Sequence, residues 1–164
     1  MKKMKVLDVS YNQIISAKKL YKFKELNNSI TAGKSNIYGA LGEVCVRDYF
    51  SKKSGYAVDH TATYDYDMII NGSKIDVKTK KTKVLPERHY LCSIAAYNTN
   101  QECDFYFFVR ISESLNKCYL LGYMNKEEFF SQSVFKRKGD MDINGWRFKA
   151  DCYNMEIGNI NRFK

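Results

Sequence analysis

The chain has 164 residues, of which 45% are hydrophobic, which is enough for one sizeable core and fits one domain spanning residues 1–164 better than two. Its 27 Lys and Arg residues against 18 Asp and Glu residues give a formal net charge of +9 and favour a polyanionic partner, for which we expect nucleic acid. No apolar stretch long enough for a membrane span or a signal peptide occurs, so we expect a cytoplasmic protein without a membrane partner.

The cysteine pattern excludes two further classes of protein. The five cysteines are scattered and odd in number, form no C-x-x-C pair, and have only two histidines to join them. This pattern is typical neither of a disulfide framework nor of a zinc site. We therefore predict buried, reduced thiols that pack as small hydrophobic side chains.

Two helices are predicted in the first third of the chain. A capping-box pattern at Ser10 to Gln13 precedes apolar residues at helical spacing and predicts a helix over about residues 11–26, whose lysines form either a solvated face or a nucleic-acid contact. A second helix is predicted from Asn36 to Phe50, with Glu43 in its middle. Glu43 could face solvent and pair with Arg47 four residues on, or it could project from the core side of the helix.

A β-hairpin follows a short predicted strand at residues 55–59. Asn71-Gly72 is the strongest local signal for a two-residue hairpin turn, because both residues take positive φ at little cost. This turn places Met68 opposite Ile75 and Asp67 opposite Asp76. Directly opposed like charges repel, so a sequence selected for stability alone should avoid this pair.

Side chains alternate across a strand, which sorts this hairpin into an apolar and a charged face. The charged face is predicted to carry four side chains: Asp65, Asp67, Asp76 and Lys78. A divalent cation between Asp67 and Asp76 would turn their repulsion into ligation, and Mg²⁺ is commonly held by one or two carboxylates plus phosphate. Lys78, roughly 6.6 Å along the strand from Asp76, could then reach a phosphate or an attacking water. The alternative is an exposed face of mixed charge with no site.

The remaining chain predicts further strands and two basic segments. Strands are predicted at residues 90–96, 105–109 and 119–124, the second of them buried on both faces and central in the sheet. Asn125 is predicted to cap a helix that includes Phe129 and Phe130. Residues 146–148 and 153–157 are predicted to form one or two further strands that close the sheet. The basic segments form either solvated ridges or contacts to a phosphate backbone. Their candidate nucleic-acid-binding residues are Lys80, Lys81, Lys83, Lys136, Arg137 and Lys138.

The order of these features resembles the PD-(D/E)XK nuclease superfamily, and the local phrases resemble its small phage and resolvase-type members. The phrases are Gly42-Glu43, Tyr66-Asp67 and Ile75 to Thr79, and the resemblance spans roughly residues 37–109. It implies an α/β fold with a restriction-endonuclease-like core, in which helices flank a central mixed β-sheet. An N-terminal helix and extra C-terminal strands would be additions to that core.

The resemblance also implies an activity and a role for each site residue. It implies a Mg²⁺-dependent endonuclease, with Mn²⁺ able to substitute, that hydrolyses phosphodiester bonds, most simply in DNA. Asp67 and Asp76 would bind the metal, Glu43 would complete the metal shell, and Lys78 would orient or activate water. Asp65 remains an alternative to Asp67 as the metal ligand. Tyr66 stands where the family name has proline, and Asp76 stands where glutamate is commoner.

Two other functions remain open at this stage. The chain could be a nucleic-acid-binding module that keeps this fold without the chemistry, or a protein-binding inhibitor or adaptor. The sequence does not decide whether the chain forms a homodimer, or whether a substrate would be duplex, single-stranded or branched.

Overall fold

The computed structural model describes residues 4–26, 37–61 and 63–162, with the backbone alone for residues 23–26. Its helices are α1 (Tyr11–Leu26), α2 (Ile37–Ser51) and α3 (Lys126–Gln132). Its strands are β1 (Lys5–Asp8), β2 (Val58–Asp59), β3 (Met68–Ile70), β4 (Ser73–Thr82), β5 (Leu91–Ala95), β6 (Phe105–Ser112), β7 (Lys117–Asn125), β8 (Val134–Lys136) and β9 (Cys152–Glu156). Short 3₁₀ helices cover Ala96–Asn98 and Ile157–Asn159.

The strands form two sheets, which confirms the predicted α/β class with a mixed sheet. The larger sheet has six strands in the order β1-β7-β6-β4-β3-β2, in which β4 and β6 run parallel and the other neighbours antiparallel. β6 lies between β4 and β7, and its side chains from Tyr106 to Val109 are buried on both faces, as its apolar run predicts. The smaller sheet has the order β5-β9-β8.

The predicted helix caps are present. Ser10 Oγ accepts the N–H of Gln13 at 3.2 Å, and Gln13 Oε1 accepts the N–H of Ser10 at 3.0 Å, which is a reciprocal capping box at α1. Asn125 accepts the backbone N–H groups of Glu127 and Glu128 at the start of α3. Both helices therefore begin where a local side chain satisfies their free N–H groups.

The predicted hairpin register is confirmed as far as β3 extends. Asn71 and Gly72 have φ values of 49° and 81°, as a tight two-residue turn requires. Ile70 pairs with Ser73, and Met68 pairs with Ile75. The side chains of Asp76 and Lys78 consequently project from one face of β4, and those of its apolar residues from the other.

Helix α2 covers the apolar face of β4. Ile75 and Val77 belong to one core cluster with the buried residues of α2, and Thr79 lies on the same face. Gly42 packs so closely on this strand that a β-carbon there would overlap Thr79 Oγ1 and lie 3.1 Å from Thr79 Cβ. The glycine thus lets the backbone of α2 approach the sheet.

The smaller sheet and α3 cover the opposite face of the larger sheet. Tyr106 and Phe108 of β6 share a second core cluster with Ile94 of β5, Met155 of β9 and Phe129 of α3. Each of these five side chains is at most 5% exposed. The charged side chains of β4 project toward this second layer.

The structure corrects the prediction for the C-terminal strands. The strand predicted at residues 146–148 is not formed, and this segment makes only an isolated bridge between Met141 and Arg147. The strand predicted at residues 153–157 is observed as β9, but it does not close the larger sheet. β9 pairs with β5 and β8 instead. Its buried side chains pack on the face of β6, so β9 lies over the larger sheet and not at an edge of that sheet. β1 and β8 are additional strands, each only three or four residues long.

The cysteines are all free and buried, as predicted. Among the helices that the structure describes, none is both long enough and apolar enough to cross a membrane.

Candidate active site on the β3–β4 hairpin

Asp67 lies just before β3, where the chain leaves the ladder. Its N–H donates to the carbonyl of Ile75 at 2.9 Å, and its Oδ2 accepts the N–H of Val77 at 2.7 Å. The Asp67 carboxylate therefore caps the end of the hairpin ladder, which fixes its position beside β4. The ladder itself ends at the pair of Met68 and Ile75, one residue short of the predicted pairing of Asp67 with Asp76.

Asp76 is a buried carboxylate with a strongly perturbed pKa. It is only 4% exposed. Burial and then the charge of Asp67 raise the pKa of Asp76 from 3.8 to about 7, against the opposing attraction of Lys78. The charge of Asp67 thus acts on Asp76, and Asp76 gains or loses its proton near neutral pH.

Lys78 neutralises part of this negative charge. Its Nζ lies 2.6 Å from Asp76 Oδ2 and donates a hydrogen bond to Gln101 Oε1 at 3.0 Å. The Lys78 ammonium thus already partners Asp76 Oδ2, and this contact holds the pKa of Asp76 lower than burial alone would. Nζ also lies 5.8 Å from the centre of the Tyr106 ring. A metal cation that binds this oxygen must therefore displace the Lys78 ammonium from it.

Asp65 has a different role from Asp67. The chain turns back between Thr63 and Tyr66, so Asp65 does not reach the predicted position opposite Lys78. Its Oδ1 instead accepts the N–H of Glu102 at 3.1 Å. Since Asp67, and not Asp65, acts on the pKa of Asp76, the structure favours Asp67 as the partner acid.

Gln101 is a site residue that the sequence did not indicate. Its side chain accepts from Lys78 and donates to the carbonyl of Tyr64 at 2.9 Å, so it joins the lysine to the segment before β3. Its own carbonyl accepts from Lys126 Nζ. Gln101 comes 23 residues after Lys78, and no local signal in the sequence marks it.

Glu43 is not brought into a cluster with the two aspartates. It is a partly buried residue of α2, and α2 covers the face of β4 opposite to Asp76 and Lys78. Across residues 4–26, 37–61 and 63–162, no three His, Cys, Asp or Glu side chains converge as metal ligands. The role of Glu43 as a third ligand stays a prediction from the resemblance.

The candidate basic residues do not share one surface. Lys80 turns inward and donates to the carbonyl of Leu91 and to Ser93 Oγ. Lys81 projects from the opposite face of β4, where its Nζ lies 3.2 Å from Glu113 Oε1. Lys83, Arg137 and Lys138 are exposed, whereas Lys136 is partly buried at the end of β8. Lys80 is thus poorly placed as a surface contact, because alternation along β4 directs it between the sheets.

The chemistry of the two aspartates fits a hard divalent cation. Their carboxylate oxygens are the donor type that Mg²⁺ prefers, and the two acids lie close enough for the charge of Asp67 to act on Asp76. A cation there would offset the repulsion that raises the pKa of Asp76. Asp67 and Asp76 are accordingly the residues that could hold Mg²⁺ or Mn²⁺, with Lys78 supplying a fixed positive charge beside them.

Comparison with known proteins adds no assignment. No model of a protein family matches the chain, and no curated protein matches it. The interpretation of the site therefore depends on its geometry and chemistry.

Proposed function

We propose that this protein is a metal-dependent nuclease that hydrolyses phosphodiester bonds, with DNA as the expected substrate. The observation that carries the proposal is the contact of two carboxylates and a lysine on one hairpin, in which the buried Asp76 has its pKa raised to about 7. Strongly perturbed acids with specific charged neighbours are concentrated at functional sites. The net charge of +9 favours a polyanionic substrate.

The finer fold assignment belongs to the same proposal. Helix α2, strand β2, the β3–β4 hairpin and the buried strand β6 follow one another in the order that the resemblance to PD-(D/E)XK nucleases requires. The parallel pairing of β4 with β6 supports this order. We therefore assign the α2–β6 region to a restriction-endonuclease-like core.

Each residue has a distinct task in this proposal. Asp67 and Asp76 would hold Mg²⁺, which when bound supplies an acidified water and neutralises charge on the scissile phosphate. Asp76 must lose its proton before it can bind a cation, so a pKa near 7 makes cation binding strengthen as the pH rises through 7. Lys78 keeps a positive charge on the same face, where it can contact a phosphate oxygen. Gln101 holds the lysine in that position.

The test is cleavage of labelled linear, circular, single-stranded and branched nucleic acids in Mg²⁺, Mn²⁺ or EDTA. We expect cleavage that requires the metal and that falls by about 100-fold or more in Asp76→Asn and in Lys78→Ala, as on removal of an electrostatic stabiliser. RNA and DNA versions of each substrate identify the nucleic acid. Glu156→Gln and Lys149→Gln serve as charge-matched controls, because both residues are exposed and lie outside the site.

The controls should cleave at the wild-type rate. If wild-type protein cleaves none of these substrates, or if Asp76→Asn cleaves as fast as wild type, the nuclease proposal is wrong.

A second candidate function is nucleic-acid binding without hydrolysis. It is favoured by the lack of a third carboxylate ligand in the part of the chain that the structure describes. This function predicts binding that weakens steeply with salt and that is unchanged by Asp67→Asn or Asp76→Asn. Filter binding at several salt concentrations, run beside the cleavage assay, separates the two functions.

A further inference from the structure

Two cations lie side by side between the sheets, away from the aspartates. Lys80 of β4 and Arg110 of β6 are register partners in the parallel ladder, so their side chains leave the same face about 4.8 Å apart at the backbone. This is the face that the smaller sheet covers. Like charges placed so closely in a partly buried setting repel one another.

Among the residues that the structure describes, no acid neutralises either cation. In the described ranges, neither Lys80 nor Arg110 forms an ion pair with a carboxylate. Lys80 Nζ donates to the Leu91 carbonyl at 3.2 Å and to Ser93 Oγ at 2.7 Å, and Arg110 donates to the same carbonyl at 3.2 Å. Burial and then the charge of Arg110 lower the pKa of Lys80 to about 8. Arg110 also lies over the Tyr90 ring, with Cζ 5.2 Å from its centre, so the pair carries positive charge that no described carboxylate offsets, which is costly without a counter-ion.

Several donors of this pair remain unused. Arg110 Nε is fully buried and has no hydrogen-bond partner among the residues that the structure covers. The Lys80 ammonium has three protons, of which two have the acceptors named above. A cavity of about 130 Å³ adjoins them, lined by both cations, Ser93, Phe108 and Lys78 among others. Both cations keep partial exposure, so the cavity communicates with solvent.

We propose that the cavity lined by Lys80, Ser93 and Arg110 binds a tetrahedral oxyanion of the phosphate type. A volume of about 130 Å³ corresponds to roughly four water molecules at about 30 Å³ each and accommodates one such group. Two fixed cations match its charge, and the unused N–H groups match its several acceptor oxygens. The occupant is inorganic phosphate or the terminal phosphate of a nucleic acid, since a small cavity that opens to solvent admits a group attached at one end.

This site does not depend on the proposed nuclease activity. Asp67 and Asp76 do not line the cavity, and an anion there meets the charge of Lys80 and Arg110 whether or not Asp76 takes part in catalysis. Lys78 lines the cavity and also contacts Asp76, so the two sites are neighbours on one strand face.

The test uses the full chain with inorganic phosphate as the probe. Titration calorimetry and thermal unfolding are measured in sodium phosphate and in sodium chloride of equal ionic strength. We expect saturable phosphate binding and a phosphate-specific rise in the melting temperature, because a ligand that binds the folded state alone stabilises it. In Arg110→Gln, the affinity should fall by about tenfold or more, as for loss of a charged hydrogen bond.

The variants distinguish phosphate binding in this cavity from non-specific attraction of phosphate to the positively charged protein. Lys149→Gln removes one exposed positive charge elsewhere and should leave phosphate affinity unchanged. Arg110→Lys keeps the charge but lacks the buried Nε donor, so its affinity should fall as well; this variant serves if Arg110→Gln does not fold. Equal effects of phosphate on Arg110→Gln and Lys149→Gln, or no saturable binding by wild type, would overturn the proposal.

Two further experiments identify the source of the oxyanion and test whether its binding is independent of the proposed nuclease site. The first experiment compares a 5′-phosphorylated dinucleotide with its 5′-hydroxyl counterpart. Tighter binding of the phosphorylated form, with the difference lost in Arg110→Gln, indicates that the ligand is a terminal phosphate. Equal binding of the two dinucleotides, with inorganic phosphate still bound, indicates that the ligand is the free ion. Asp76→Asn should keep phosphate binding even where it abolishes cleavage. Loss of phosphate binding in Asp76→Asn would contradict a separate site.

Discussion

At the scale of single residues, Asp76 shows how the candidate site conflicts with stability. The residue is 4% exposed, and its pKa of about 7 means that the folded chain disfavours the ionised carboxylate. Lys78 offsets only part of this cost. A sequence selected for stability alone would place an amide or an apolar residue here, so the acid is best understood as a functional group.

We expect Asp76→Asn to be more stable than wild type above pH 7. In wild type, the folded pKa of about 7 exceeds the unfolded value of 3.8, so the folded state binds more protons between these values and its stability falls as the pH rises from about 4 to 7. Asparagine removes this penalty, which is on the order of a few kcal/mol. The gain should be present at pH 8 and shrink toward pH 4.

The measurement is urea unfolding of both proteins between pH 4 and pH 8. Glu156→Gln, at an exposed acid of β9, is the control and should show no comparable pH-dependent gain. If Asp76→Asn is less stable than wild type at pH 8, Asp76 is a structural group held by Lys78.

At the scale of elements, the close packing of α2 on β4 positions the hairpin. Gly42 sits against Thr79, and its missing side chain lets the helix approach the strand that carries Asp76 and Lys78. Ala40, Leu41 and Val44 are each at most 6% exposed and fill the same interface. The helix thereby supports the strand from behind, on the face away from the site.

We expect Gly42→Ala to destabilise the protein by about 1–3 kcal/mol, because its new methyl group would overlap Thr79 Oγ1 in a filled interface. Gly39→Ala is the matched control in the same helix, since a β-carbon there has no atom within 4 Å. It should be neutral or stabilising by at most about 1 kcal/mol. Thermal unfolding of the two variants measures the difference, and equal stability would show that α2 can shift away from β4 without cost.

At the scale of the whole molecule, a chain of polar side chains joins the two sheets. Lys80 of β4 donates to Ser93 of β5 at 2.7 Å, and the Ser93 hydroxyl donates to Asn154 Oδ1 of β9 at 2.6 Å. Asn154 is 4% exposed, and its amide also donates to the carbonyl of Val134 in β8. These bonds fix the smaller sheet over the charged face of the larger one.

We expect Ser93→Ala to lower the free energy of unfolding by about 1–3 kcal/mol, since it leaves Lys80 and the buried Asn154 with unmade hydrogen bonds. Ser131→Ala, at an exposed position of α3, is the control and should change stability by less than about 0.5 kcal/mol. Urea unfolding at pH 7 measures both. Equal stability of the two variants would mean that apolar packing alone holds the sheets together.

The parts that the sequence predicted are those with a local physical cause. Asn71-Gly72 sets the hairpin register because positive φ at two adjacent positions leaves few other turns. Ser10 and Asn125 mark helix starts because their side chains satisfy nearby N–H groups. Alternation along β4 then places Asp76 and Lys78 on one face.

Tertiary structure decided which of these side chains meet. The sequence left Asp65 and Asp67 as rivals, and it was the turn before β3 that gave Asp67 the contact with Asp76. Arg110 lies beside Lys80 because β4 and β6 pair, and Gln101 reaches Lys78 from the segment that leads into β6. The sequence by itself thus determined the hairpin and its charged face. Burial, which raises the pKa of Asp76 to about 7, involves residues such as Cys103 and Tyr106 that come 27 and 30 residues later in the chain, and no local pattern encodes that contact.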